Sequence, residues 1–197
     1  MNYPPAPSAK AALREQALAR RDALSPEARA TGSAAIAERA RAIIAATRPR
    51  CVAGYLPFAS EVDPCPAMTW AADNSMATAV PAMVDADTMV FRAYRAGDPL
   101  LPDAFGIVAP TPSAPAVTPD LILMPLSAFD RQGRRIGKGR GFYDRIVAAL
   151  RAHGGNPLLV GVAFSVQEVE AVPDEPHDAR LHRIVTERET VAVRRPD

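Results

Sequence analysis

The stretch DLILMPLSAFDRQGRRIGKGRGFYDRIVAALRAHGGNPLLVGVAF, residues 120–164, decides the fold. It opens on an apolar run, Asp120 to Leu126, and closes on another, Leu158 to Phe164. Between them lies a glycine-rich loop, Gly133 to Gly141. A helical stretch follows from Phe142 to Ala152, with Ile146, Val147 and Leu150 as its apolar side. A continuous apolar strand, a helix and a second continuous apolar strand make the pattern of a parallel sheet covered on both faces.

Working outward, the same alternation extends toward both ends. Lys10 to Leu24 is rich in strong helix formers, and Leu13, Ala17 and Leu24 form its apolar stripe. Ser25-Pro26 reads as an N-cap followed by proline at the first helical position. The helix it opens runs to about Ala46, with Ile36, Ala40, Ile43 and Ile44 facing inward. Cys51 to Leu56, Met76 to Val80 and Thr88 to Tyr94 read as strands, and Pro66 to Ala72 as a short helix. Gly97 to Pro119 carries six prolines and reads as an extended surface loop anchored by Leu100, Phe105 and Ile107. Arg183 to Thr186 and Thr190 to Val193 are short β-like runs. Met1 to Ala9, with three prolines, reads as a disordered arm ahead of one α/β domain spanning residues 10–197.

Composition narrows the function classes. With 197 residues, 48% hydrophobic and 23% charged, the chain is of ordinary globular make-up. A formal charge of +1 gives no global field for nucleic acid or an anionic membrane. No stretch of about 18 apolar residues is present. The N-terminus lacks the basic and apolar regions of a signal peptide, so a cytoplasmic location is expected. Cys51 and Cys65 form neither a C-x-x-C pair nor a disulfide framework. Of 23 basic residues only Lys10 and Lys138 are lysine, which draws attention to both.

Four features could carry chemistry. Arg134-Arg135-Ile136-Gly137-Lys138-Gly139-Arg140-Gly141-Phe142-Tyr143-Asp144 sits between a buried strand and a helix. Its alternate glycines let backbone approach a ligand, and the helix start offers free N–H groups to phosphate. It matches neither the Walker A loop nor the dinucleotide fingerprint. Lys10 and Arg14, four apart, share one helix face and could reach a polyphosphate. Glu61 follows a buried strand, where open α/β sheets often build sites. Asp144 and Asp178 are carboxylates of the kind that hold magnesium with phosphates. Taken singly, each feature also fits a solvated surface. His177 reads as orientational or exposed, and Trp70 as core. No Ser-His-Asp order, His-x-x-His pair or nucleophilic cysteine context is found.

In this order the motifs resemble the 5-formyltetrahydrofolate cyclo-ligase family, also called 5,10-methenyltetrahydrofolate synthetases. The resemblance runs from Lys10-x-x-x-Arg14, through Tyr55-Leu56 and Ser60-Glu61-Val62-Asp63, to Phe105-Gly106-Ile107 and Pro110. It continues through Pro125-x-x-x-Phe129-Asp130, the stretch Arg135 to Arg145, Ala163-Phe164-x-x-Gln167, Pro173, His177-Asp178 and Ile184-Val185-Thr186. It implies a single three-layer α/β/α domain with a mainly parallel sheet, similar to the sugar-phosphate isomerase and coenzyme A transferase group. It also implies ATP-dependent closure of 5-formyltetrahydrofolate to 5,10-methenyltetrahydrofolate, with ATP and Mg2+ as cofactors.

By the same resemblance, ATP would be held by Lys10, Arg14 and the run Arg135, Ile136, Gly137, Lys138, Gly139, Arg140, Gly141, Phe142 and Tyr143. The folate would meet Leu56, Glu61, Lys138, Gly139, Arg140, Gly141 and Phe142. Lys10, Arg140 and Tyr143 would take the catalytic roles, and Asp144 and Asp178 would bind the metal. The partners implied are small molecules, ATP and a reduced folate, with no nucleic acid, no membrane and a monomeric chain. Phe142 stands where the family usually has tyrosine, and Pro64 where threonine is common. Two other readings remain open on the residues: a non-catalytic nucleotide or folate binder, and a same-fold enzyme acting on another substrate.

Overall fold

The structure is a computed structural model that describes residues 8–102 and 106–193. Residues 1–7 of the predicted arm and the predicted anchor Phe105 lie outside the described residues. Ser8 and Ala9, placed in that arm by sequence, instead begin the first helix. α1 spans Ala9–Asp22, and the Ser8 hydroxyl accepts the Ala11 N–H at 3.3 Å. α2 spans Pro26–Thr47, capped by the Ser25 hydroxyl on the Ala28 N–H at 3.1 Å. It stops at Arg48, whose φ of 46° leaves the helical region while its N–H still donates to the Ile44 carbonyl.

The remaining elements follow in chain order. They are β1 (Cys51–Ala53), α3 (Cys65–Asp73), β2 (Ala77–Met83), β3 (Met89–Ala93), β4 (Leu100–Pro102) and β5 (Val108–Pro110). Then come β6 (Leu121–Pro125), β7 (Ala128–Phe129), β8 (Arg135–Ile136), α4 (Phe142–Ala152), β9 (Leu158–Val162), β10 (Arg183–Val185) and β11 (Thr190–Ala192). Seven strands form the main sheet in the order β11-β10-β9-β6-β1-β2-β3. The five from β10 to β2 run parallel, and the edge strands β3 and β11 are antiparallel.

Alternation along the strands builds two cores. Val52, Leu121, Leu123, Val160 and Val162 point to one face, where Ile36, Ala40 and Ile44 of α2 and Ala67, Met68 and Ala71 of α3 cover them. Cys51, Ala53, Ile122, Met124 and Leu159 point to the other, beneath Ile146 and Val147 of α4. The α2 residues recur at the four-residue spacing that keeps one helix face inward. Each fully buried aliphatic side chain contributes about 2 kcal/mol relative to exposure. This is the expected α/β architecture with helices on both faces of a mainly parallel sheet.

Two local readings are corrected. The run after Cys51 leaves the sheet at Ala53 rather than Leu56. Beyond it Tyr55 turns inward, and its hydroxyl donates to the Val62 carbonyl at 2.8 Å. The proline-rich segment is not wholly irregular, because β4 and β5 pair within it as a hairpin. Ile107 is 60% exposed, so its side chain does not anchor the segment in the core.

The strand order reverses between β1 and β6, which lie side by side although β2 to β5 intervene in sequence. Their carboxyl ends therefore open a crevice with loops diverging on either side. α1 lies across this end. It packs on the β7–β8 hairpin through a small third core of Ala17, Ala128, Ile136 and Val172. No helix among the described residues is long and apolar enough to cross a membrane.

Candidate active site

The loops leaving β1 and β6 carry the residues singled out by sequence, and α1 adds a row of cations above them. Lys10, Arg14, Ala17 and Arg21 recur at spacings of four, three and four, which places them on one helix face. Ala17 is fully buried and fixes that face toward the protein. Lys10 Nζ then lies 2.6 Å from Asp178 Oδ2 and 2.9 Å from Glu175 Oε1. Arg14 Nε donates to the Gly137 carbonyl at 2.8 Å. Arg21 Nε donates to the Ser60 hydroxyl at 2.9 Å, and that hydroxyl donates to Asp22. One helix face thus holds the acidic loop, the glycine loop and the loop after β1.

The glycine loop is shorter than its sequence suggests. Arg135 and Ile136 belong to β8, and the Ile136 side chain is buried under α1, so only Gly137 to Gly141 is loop. Gly139 and Gly141 have φ of +96° and +65°, which other residues adopt only with strain. A methyl group on Gly139 would stand 3.3 Å from the Arg14 guanidinium. Lys138 between the glycines is mostly exposed, yet its Nζ reaches Glu61 Oε1 at 2.9 Å. Arg140 and Arg145 lie over the Phe142 ring, at 5.3 and 4.9 Å from its centroid.

Glu61 itself is held in place. Its Oε2 accepts the Phe58 N–H at 3.0 Å, and only 7% of its side chain is exposed. It lines a cleft of about 400 Å³ together with Arg29 and Ser33 of α2 and Pro57, Ala59 and Asp63 of the loop. Leu56, the other predicted folate contact, is half-buried against the α2 core.

Asp144, in the first turn of α4, accepts from Arg135 Nη2 at 2.6 Å and from the Ala179 N–H at 2.9 Å through the same oxygen. Ala179 adjoins Asp178, so the two predicted metal ligands come to one place. Each carboxylate also carries a cation, Arg135 or Lys10. Magnesium with phosphates needs only one or two carboxylates beside its waters, and these two are of that kind; each is already neutralised by a cation that a metal ion would have to share or displace.

Charges at the site are mutually adjusted. Desolvation pulls the Lys10 ammonium down, but hydrogen bonds to Asp178 and Glu175 and their charges outweigh it and raise its pKa. Burial pushes the Tyr143 phenol well above its ordinary range; the Glu61 charge adds to this and Arg135 opposes it. Tyr143 Oη and Arg135 Nε are buried polar atoms with no protein partner. Such atoms are costly unless something satisfies them.

Sequence reading gave no role to three of these residues. Glu175, three positions before Asp178, completes the Lys10 site. Phe58 supports both Glu61 and Lys138, whose Nζ lies 5.3 Å from its ring centroid. Asp130, fully buried, accepts the N–H groups of Gln132, Arg134 and Val172, joining the β7–β8 turn to the acidic loop. His177 is exposed, in keeping with its reading, and Trp70 is only partly buried, with Arg41 over its ring. Burial raises the thiols of Cys51 and Cys65 to about 11 and about 12, so neither offers a thiolate nucleophile.

The profile of the 5-formyltetrahydrofolate cyclo-ligase family matches residues 6–187. The chain belongs to this family. It is 31% identical over 173 residues to 5-formyltetrahydrofolate cyclo-ligase of Escherichia coli (strain K12), a match covering 85% of this chain and 94% of that one. A 36% identical match to the Haemophilus influenzae cyclo-ligase spans about half of each chain, 49% and 53%. The solution structure of Aquifex aeolicus 5,10-methenyltetrahydrofolate synthetase superposes with a TM-score of 0.79 at 29% identity, covering 95% of this chain and 94% of that one. The family, the relatives' names and the shared fold together indicate cyclo-ligase activity for this member.

Proposed function

We propose that this cyclo-ligase closes 5-formyltetrahydrofolate to 5,10-methenyltetrahydrofolate at the expense of ATP, in the crevice between the carboxyl ends of β1 and β6. The observation that supports this reading most is the gathering of Lys10, Arg14, Lys138 and Glu61 at that crevice from three separate segments. The chemistry needs an activated formyl oxygen. That oxygen attacks the γ-phosphorus and the bond to ADP breaks, leaving a phosphorylated imidate on the folate. Nitrogen 10 then attacks the same carbon, phosphate leaves with the former formyl oxygen, and the N10 proton is released.

Such transfer needs positioning and neutralisation of charge rather than a protein nucleophile. Lys10 and Arg14 supply fixed positive charge on one side of the phosphates, and the Gly137 to Gly141 backbone, with Lys138 and Arg140, supplies the other. Tyr143 Oη is a buried hydroxyl free to bond ligand. Glu61, with one oxygen already fixed by Phe58, is suited to paired hydrogen bonds from a pterin, and Leu56 and Phe142 offer apolar surface beside it. Asp144 and Asp178 would hold magnesium, which when bound neutralises phosphate charge. The reading includes a monomeric, cytoplasmic protein whose residues 10–197 form one catalytic domain.

The test is to mix the purified chain with 5-formyltetrahydrofolate, ATP and magnesium and to follow the methenyl product by absorbance. Product that requires all three is expected. Product without ATP, or none at all, would overturn the reading.

A further inference from the structure

We propose that Lys138 is shared between the two substrates: it neutralises Glu61 in the free protein, and folate binding at Glu61 releases it to the phosphates of ATP. Each substrate then strengthens binding of the other. The inference rests on the assignment of Glu61 to folate and of the glycine loop to ATP made above.

The argument begins with access. With 7% of its side chain exposed, Glu61 presents a narrow approach to an incoming ligand. Phe58 N–H already occupies Oε2, and Lys138 Nζ stands at Oε1, 2.9 Å away. The same ammonium lies 5.3 Å from the Phe58 ring centroid, so a second contact keeps it there. A flat ring with two adjacent N–H donors needs both carboxylate oxygens, and it must move Lys138 aside.

Lys138 is built to move. Its side chain is 64% exposed, and it is flanked by Gly137 and Gly139, the latter at φ +96°. Glycine on both sides lets the backbone re-aim the side chain without moving β8 or α4. Arg14 and Lys10, by contrast, are fixed from α1 and cannot follow. ATP binding alone would draw Lys138 from Glu61 and leave a nearly buried carboxylate without its cation, which offsets part of the attraction. Once folate donors hold Glu61, that opposition disappears. A coupling between two ligands is reciprocal, so the folate gains the same factor from the nucleotide.

Calorimetry of the full chain with magnesium and the non-hydrolysable imido analogue of ATP tests this. The analogue is expected to bind wild type about tenfold tighter with saturating 5-formyltetrahydrofolate than without it. Glu61→Gln keeps an acceptor for Phe58 but not the charge. It should bind the analogue alone about as tightly as folate-saturated wild type does. Lys138→Met, at an exposed position that leaves folding untouched, should bind weakly in both conditions with the coupling gone. Equal affinity in wild type with and without folate would overturn the proposal, as would full coupling in Lys138→Met. Those results alongside wild-type turnover sink only the exchange. Failure of wild type to bind either ligand would instead sink the reading of the site.

Discussion

Arg14 and Gly137 are joined by a 2.8 Å hydrogen bond from the guanidinium Nε to the carbonyl oxygen, across 123 positions of sequence. The bond ties the inner face of α1 to the first residue of the glycine loop. Arg14→Ala is therefore expected to raise the KM for ATP about tenfold or more, with a smaller effect on kcat. Amide exchange at Gly137 to Gly141 should quicken in the same variant. Steady-state kinetics and hydrogen exchange on one preparation check both, and unchanged exchange would show that Arg14 does not hold the loop.

Gly139→Ala attacks the same contact from the other side. The residue sits at φ +96°, and the added methyl would meet Arg14 at 3.3 Å. A loss of about 1–2 kcal/mol from backbone strain is expected, together with a raised KM for ATP. Gly154→Ala, also at positive φ but with open space around its missing side chain, should show the strain without the kinetic effect. Urea midpoints and ATP kinetics of the two variants separate these terms.

Lys10→Ala removes the cation that two carboxylates share. The expected result is a KM for ATP raised about tenfold or more, as for the loss of one charge-assisted contact. Lys10→Arg should restore part of the effect. Wild-type ATP kinetics in the alanine variant would remove Lys10 from the phosphate site.

Asp130 holds three backbone N–H groups while wholly buried. Asp130→Ala leaves these donors unsatisfied and should cost about 3 kcal/mol or more of stability, read from urea unfolding. A loss below 1 kcal/mol would show that water replaces the carboxylate.

Asp120 gives a pH dependence of known sign. The Arg50 side chain, with the N–H groups of Cys51 and Arg50, holds its carboxyl below the ordinary range in the folded state. Its contribution is therefore fully present at neutral pH. It is lost as pH falls through the unfolded value near 3.9 and on through the lower folded value. Asp120→Asn should be less stable than wild type by about 1 kcal/mol at pH 7, with the gap closing below about pH 4. A gap that persists into acid would refute the account.

Much of this was legible in the sequence because the signals were strong and local. Leu121 to Met124 and Leu159 to Val162 are apolar on both faces because both faces are covered, and Ser25-Pro26 capped its helix as read. The motif order supplied the candidate site residues. The β7–β8 hairpin escaped because strands of two residues carry no periodicity; its turn needs Gly133, which sits at φ +81° with the Leu181 carbonyl 2.8 Å from where a side chain would stand. The ion pairs escaped for another reason. Spacing along a chain says nothing of which loop a lysine reaches, so that Lys138 meets Glu61 and Lys10 meets Glu175 emerged only with the fold.

The chain's two lysines, Lys10 and Lys138, both belong to this crevice, one at 20% and one at 64% side-chain exposure. Apart from the amino terminus, a reagent that acylates amines therefore finds its targets only at the crevice proposed for substrate. On that reading labelling stoichiometry gauges occupancy, and attachment of this protein to a surface through its lysines would turn that crevice toward the support.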